Sequence, residues 1–340
     1  MNPLRAWNRF WFAPVSARPL GLFRIAFGML ALANLALLAT DMTHWFTSAG
    51  LVRGVDAPGV AGSLRYSLLQ TWQSPAVVGI VFGAQALALV LLLVGWHTRL
   101  VSVAVYLLQL TLHHRNIASA NDADILLIAT SFALMFSPSG AAFSLDALRA
   151  ARRRGTAAEP LIEPWGQRLI QIQLVLAYAM VAFYRGRGIN WFDGSAVHFL
   201  LNNPELGRFR LDPLSMQPMV INALTFAAVA LGGALPFLLW FKSTRSWMIA
   251  GGLTLHVGAM LVMNIPLFNE LCMATYLLFM TPEELAAVAR PFRSLVSARE
   301  RKAAVRAEFA GRVDGPHIGI ASHRPERVGS DRVVTLAETR

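Results

Sequence analysis

The chain has 340 residues, of which 55% are hydrophobic and only 14% charged, with a mean hydropathy of +0.49. A soluble domain carries about 25% charged residues, so this composition excludes an ordinary soluble fold and reads as a polytopic membrane protein. The net charge of +11 collects at the ends of apolar segments and in the tail, a topology pattern rather than a nucleic-acid surface. Cys272 is the single cysteine, which excludes an intramolecular disulfide and a thiol pair for redox exchange. The apolar runs are continuous and long, so they predict an all-α bundle of about eight transmembrane helices and not a barrel of alternating strands.

Residues 1–18 are basic and aromatic and read as a cytoplasmic interfacial segment. The first span, Pro19–Thr40, is long, lacks a small-x-small cleavage site and is followed by further spans, so it is read as retained. It holds Arg24, a charge that costs about 2.5–3.5 kcal/mol at a helix centre unless compensated. Snorkelling to the near interface accounts for it; so does a buried ion pair, which makes Arg24 a candidate substrate-binding residue. The second span, near Ala76–Trp96, carries Gly79 and Gly83, a spacing that lets helices approach closely. The third, near Leu100–Leu112, and the fourth, near Asp124–Phe136, are short, which predicts tilt or burial within protein. The fifth runs near Arg168–Tyr184, the sixth near Met219–Phe241, the seventh over Trp247–Asn264 and the eighth near Pro266–Met280. Residues 19–282 thus form the transmembrane domain, and 283–340 a basic cytoplasmic tail, helical at first and then disordered. An even number of spans puts both termini on one side. Arg99, Arg152–Arg154, Lys242 and Arg245 share that side, which makes it the cytoplasmic face of a bacterial inner membrane.

Two polar clusters fall on the opposite face. The first is HHRNIASANDAD, His113–Asp124. Histidine titrates near neutral pH and can move a proton, with the carboxylates orienting it. Adjacent helical residues point about 100° apart, so His113 and His114 cannot face one pocket in the same way. His114 is the candidate catalytic residue here, with His113, Arg115, Asn116 and Asn121 as candidate substrate-binding residues. The same pattern also suits a polar helix cap in which Asp124 closes the fourth span. The spacing matches no ligand set, so no metal is expected.

The second cluster is YRGRGINWFDG, where Gly186 and Gly188 permit a sharp exit from the fifth helix. Arg185 and Arg187 can grip a carboxylate or phosphate at two points, but a guanidinium does not deprotonate near neutral pH and cannot serve as a base. Arg185 joins the candidate catalytic residues, and Arg187, Trp191 and Asp193 the candidate substrate-binding ones. His256, mid-way along the seventh span, is the deepest ionisable group and a third candidate catalytic residue. A neutral histidine hydrogen-bonded between helices is the other reading of it.

PLGLFRIAFGML, HHRNIASAND, YRGRGINWFDGSAV and LHVGAMLVMNIPLFNELCMATYLLFM occur in this order. Together they resemble the HTTM family (horizontally transferred transmembrane domain), whose membrane region is shared with vitamin K-dependent gamma-glutamyl carboxylase. The resemblance covers roughly residues 18–282. It implies the helical membrane fold and, as a cofactor, a reduced vitamin K-like quinone bound or oxidised at the periplasmic face. In the carboxylase, oxidation of that quinone generates the base that takes a proton from glutamate before CO2 adds. A lysine near the end of the helix ahead of a Trp-x-acidic-Gly motif starts the reaction. Here the motif is Trp191-Phe192-Asp193-Gly194, and the corresponding place falls at or beside Arg185. A desolvated lysine can lose its proton and an arginine cannot, so the resemblance implies a quinone ligand more than glutamate carboxylation. His114 and His256 are the groups left to move a proton. The carboxylase also carries a large lumenal region where this chain has its basic tail. The alternative is a non-enzymatic maturation or binding factor for an exported peptide or lipid. The partners expected are membrane lipids, a quinone and an exported peptide, with no nucleic acid.

Overall fold

The computed structural model of the chain describes residues 2–50, 67–115, 120–155, 160–209 and 216–290. Helices dominate them: α1 (Pro3–Phe12), α2 (Arg18–Thr40), α3 (Met42–Phe46), α4 (Leu68–Thr71), α5 (Pro75–Val94), α6 (Thr98–Arg115), α7 (Asp122–Met135) and α8 (Leu145–Arg154). The second half adds α9 (Trp165–Arg185), α10 (Ile189–Phe192), α11 (Ala196–Asn202), α12 (Pro218–Leu238), α13 (Lys242–Val262), α14 (Phe268–Thr275) and α15 (Pro282–Arg290). A two-residue antiparallel pair, β1 (Val15–Ser16) with β2 (Leu161–Ile162), ties the entry of α2 to the entry of α9. The helix starts follow local chemistry. Proline opens α1, α2, α5 and α12, where its missing N–H has no partner to lose. Asn121 caps α7 in a reciprocal box with Asp124.

A helix stands at each position where a span was expected. Four of them, α2, α5, α9 and α12, are long and apolar enough to cross a membrane, and a fifth crossing arises if Phe268–Phe279 and Pro282–Arg290 count as one bent span. The expected eight is therefore not reached on length and composition. The 14 residues of α7 rise only about 21 Å, short of a hydrocarbon core of about 30 Å. α6 ends in His113, His114 and Arg115, and α13 begins with Lys242 and Arg245, which lowers their apolar content. The chain is a membrane-embedded helical protein.

Consecutive long helices pack side by side from α2 through α5, α6 and α7 to α9, α12 and α13. α14 and the 3-10 turn Tyr276–Phe279 then return to the middle, against α2, α7 and α9. Leu271, Cys272, Tyr276 and Leu278 are buried there. The side chains of Gln167 and Gln171 on α9 both donate to Leu278 O at 2.7 Å, satisfying a carbonyl that the turn leaves open. Gln173 reaches the other way, to Leu126 O and Thr130 Oγ1 of α7. Gly79 and Gly83 do not mediate the close approach expected of them: a β-carbon at either would meet nothing within 4 Å.

Two buried arginines clamp connections. Arg24 is fully buried, and its guanidinium donates to Ser139 O at 3.0 Å and Phe143 O at 2.6 Å, holding the α7–α8 connection against α2. The compensation is a set of backbone carbonyls rather than a snorkel. Arg115, 1% exposed, donates to Phe46 O, Thr47 O and Gln73 Oε1 and fixes the segment after α3.

The α5–α6 turn is held from outside its own sequence. Gly95 ends α5 at φ 75°, and a β-carbon there would collide with Ser144 and Arg24, so both conformation and space demand glycine. Asp146 of α8 accepts from the N–H of His97 (3.0 Å), the N–H of Thr98 (2.8 Å) and the Thr98 hydroxyl (3.0 Å), capping α6. Burial pushes this carboxyl up, but the two N–H groups, the hydroxyl and nearby His97 outweigh it and hold it below its ordinary value. A depressed carboxyl contributes stability above its unfolded pKa and loses it as pH falls through the folded value. The gap in melting temperature between the wild type and Asp146→Asn is therefore expected to narrow below about pH 4. A gap that stays constant down to pH 3 would contradict this linkage.

Candidate functional site

An open cavity of about 1000 Å³ lies between α9, α12 and α13, bordered by α11 and α14. Its existence follows from side-chain size. Ala177 on α9, Ala227, Ala228 and Gly232 on α12, and Gly251, Gly258 and Ala259 on α13 line it. Such small residues leave space where leucines would fill it. Most of the remaining wall is apolar, with Leu174, Val181, Leu201, Leu224 and Leu255 among it. On α9 the lining residues Leu174, Tyr178, Val181 and Arg185 recur at helical spacing and form one stripe.

Arg185 sits at the last residue of α9 and points over the Trp191 ring, 4.4 Å from its centroid. Its Nη1 donates to Ala228 O at 3.0 Å. The guanidinium lies against α12 because position 232 is glycine; a β-carbon there would stand 3.1 Å from Nη1. Trp191 is carried back to the cavity by the turn at Gly186–Gly188, which leads into α10. Such a stacked guanidinium is oriented while most of its donors stay available to an anionic or carbonyl oxygen.

Deeper in the wall is a chain of four buried polar side chains. Tyr178 Oη lies 2.6 Å from His256 Nε2 and 2.5 Å from Tyr276 Oη, and His256 Nδ1 lies 2.8 Å from Asn269 Oδ1. His256 is 4% exposed and Asn269 also 4%. Both ring nitrogens of His256 are engaged, so a proton reaches it through Tyr178 and not directly from the cavity. Tyr276 fits against α13 because position 252 is glycine: a β-carbon there would fall 2.2 Å from Tyr276 Oη. Gly252→Ala is expected to displace that ring and cost about 1–3 kcal/mol of stability, read as a lower melting midpoint in detergent. A variant melting with the wild type would show slack in this packing.

Of the residues singled out from sequence, Arg185, Trp191, His256 and Asn121 line this cavity. The others do not meet there. Asn121 also accepts from the N–H groups of Ala123 and Asp124 as the α7 cap. His113 Nε2 stands 3.6 Å from Asp124 Oδ1, which also accepts from Asn34 Nδ2 at 2.8 Å. That group joins α2, α6 and α7. His114 is half-buried at the end of α6 and outside the lining, while Arg24 and Arg115 are the backbone clamps described above. Asn116 lies outside the described residues. Arg187 is exposed, its guanidinium 4.3 Å over the Phe183 ring. Asp193 is exposed and accepts from the N–H and hydroxyl of Ser195, which hold its carboxyl below the ordinary value. It shapes the turn into α11.

Tyr178, Tyr276 and Asn269 escaped the sequence reading. The available signal was the seven-residue spacing from Tyr178 to Arg185, which puts both on one face of α9. Among the described residues no three His, Cys, Asp or Glu side chains converge as a metal site requires.

The HTTM domain family model matches residues 12–283, which contain every described residue of this cavity. No curated protein and no solved structure matches the chain. A match over most of the chain, on a helical bundle with the Arg185–Trp191 junction in place, carries the assignment: the chain belongs to the HTTM domain family.

Proposed function

We propose that this protein binds a quinone-like lipid in the cavity between α9, α12 and α13, at the periplasmic face of a bacterial inner membrane. The observation that carries the reading is one space of about 1000 Å³, apolar over most of its wall, with Arg185, Tyr178 and the His256–Asn269 pair among its inner polar groups. Such a space suits an isoprenoid or alkyl chain joined to a small polar ring. The ligand's ring oxygens would supply the redox chemistry. This chain's part is to hold an oxygen at Arg185, to stack aromatic surface at Trp191 and to exclude water with the leucines.

The orientation rests on charge. Arg99, Arg152, Lys242 and Arg245 belong to the end of the bundle opposite Arg185, and the excess of basic residues on cytoplasmic faces supports a cytoplasmic side for that end. Glutamate carboxylation is not part of the proposal, because the group at the helix end is a guanidinium and His256 has no free nitrogen.

The test is equilibrium binding of a short-chain naphthoquinone to detergent-purified protein, read by tryptophan quenching, with Gly258→Leu for comparison. Gly258 lines the cavity and a β-carbon there meets nothing within 4 Å, so leucine is expected to narrow the cavity at little cost in packing. Saturable binding in the wild type, lost in Gly258→Leu at an unchanged melting temperature, is the expected result. Equal binding in both would put the ligand elsewhere. Binding in neither would favour a maturation or binding factor for an exported peptide.

A further inference from the structure

Hydrogen-bond counting along the buried chain decides what its free end offers. When His256 Nδ1–H donates to Asn269 Oδ1, Nε2 accepts from the Tyr178 hydroxyl, and the Tyr178 oxygen accepts from the Tyr276 hydroxyl. Every O–H and N–H from Tyr276 to His256 then has an acceptor. The reverse order leaves the Tyr276 hydroxyl without one among the partners the described residues give it. The first assignment is therefore the lower in energy. It leaves the two N–H groups of Asn269 Nδ2 without a partner, in a side chain 96% buried and in the cavity wall.

A buried amide donor without an acceptor costs free energy that a ligand oxygen recovers. The other inner polar group, Arg185, is also a donor and cannot accept. The acceptor nitrogen of His256 is spent on Tyr178. Asn121, Asp122 and Asn264 also line the cavity with oxygens, but all three are exposed near helix ends, where they bond water as readily as a ligand, and the Thr254 hydroxyl donates to Ala250 O. Asn269 Oδ1 keeps one lone pair beyond its bond to His256, but the unpartnered amide and the guanidinium are N–H donors, so the inner wall favours acceptor oxygens.

We infer that Asn269 is a ligand-binding residue, and that the cavity selects its ligand through acceptor oxygens, a carbonyl or an anionic oxygen set against Asn269 Nδ2. This rests on the reading that the ligand is quinone-like, and adds which form is held. A quinone brings two carbonyl acceptors. A neutral hydroquinone also accepts through its hydroxyl oxygens, but its two O–H donors have only the second lone pair of Asn269 Oδ1 to share among these inner groups, so it binds more weakly. A hydroquinone that has lost a proton presents an acceptor again and is held like the quinone.

The experiment compares binding of 2-methyl-1,4-naphthoquinone and of its hydroquinone, kept reduced without oxygen at pH 6, to the full chain in detergent. Wild-type protein is expected to hold the quinone about 5- to 100-fold more tightly, the range that one orphaned buried donor supplies. Asn269→Asp keeps an oxygen for His256 Nδ1–H and replaces the free N–H groups by an oxygen, so the preference is expected to vanish or invert. Equal or tighter hydroquinone binding by the wild type would overturn the inference while leaving quinone binding intact. An unchanged preference in Asn269→Asp would overturn the role of Asn269. Binding of neither form would overturn the quinone reading and this inference together.

Discussion

Arg185→Leu is expected to weaken quinone binding by about 10- to 100-fold while moving the melting temperature little. The guanidinium is the one permanent charge in the cavity wall away from the exposed Asp122, and a hydrogen bond to a charged group is worth about 1.5–3 kcal/mol. Its structural duties are light. Nη1 donates to Ala228 O, a carbonyl inside α12 that the helix already satisfies, so its loss orphans nothing. Leucine also covers Trp191 with similar apolar surface. Arg185→Lys separates charge from shape: it keeps the cation and loses the planar stack over Trp191, and should fall between the two. Binding isotherms with melting curves on the same preparations check this. A large drop in melting temperature for Arg185→Leu would make the residue a structural brace instead.

His256→Leu should do the opposite and destabilise first. Leucine fills nearly the same volume but accepts nothing from Tyr178 and donates nothing to Asn269. The Tyr178 hydroxyl can turn to the Tyr276 oxygen, but then the Tyr276 hydroxyl loses its acceptor, so one O–H is orphaned in either arrangement. Asn269 is left with no partner from this chain of rings. Two orphaned buried groups at about 1–3 kcal/mol each give an expected loss of about 2–6 kcal/mol, a large part of the stability of most proteins. Tyr178→Phe orphans a different pair, and the double variant His256→Leu/Tyr178→Phe should cost less than the sum, because the two act through one chain. Strict additivity would show that the rings are not coupled.

The sequence carried the helix positions well because its apolar runs are punctuated by proline, glycine and charge at nearly every end. It carried the number of membrane crossings poorly. Hydropathy cannot distinguish a polar residue turned into protein from one turned toward lipid, and α6 buries Gln109, Thr111, His113 and Arg115 inside the bundle. The Arg185–Trp191 junction was legible because two glycines turn the chain back within a few residues, a local event. His256 was legible because an ionisable group deep in an apolar helix is rare.

Arg24 and Arg115 misled for a physical reason. Each donates to backbone carbonyls of distant segments, 115 to 119 residues away for Arg24 and 68 to 69 for Arg115, and no local pattern announces such a cradle. The partners of His256 were hidden in the same way. Tyr178 and Tyr276 lie 98 residues apart and look like ordinary residues of apolar helices until the fold brings their hydroxyls together. Gly79 and Gly83 show the converse, a spacing that suggests contact and meets none.

The most direct test of the central claim is to purify the protein from its own membranes, extract what remains bound and identify it by mass spectrometry beside Arg185→Leu and Gly258→Leu. A prenylated quinone retained by the wild type and lost from both variants is the predicted result. A wild type that carries no quinone, or variants that carry as much, would contradict the account.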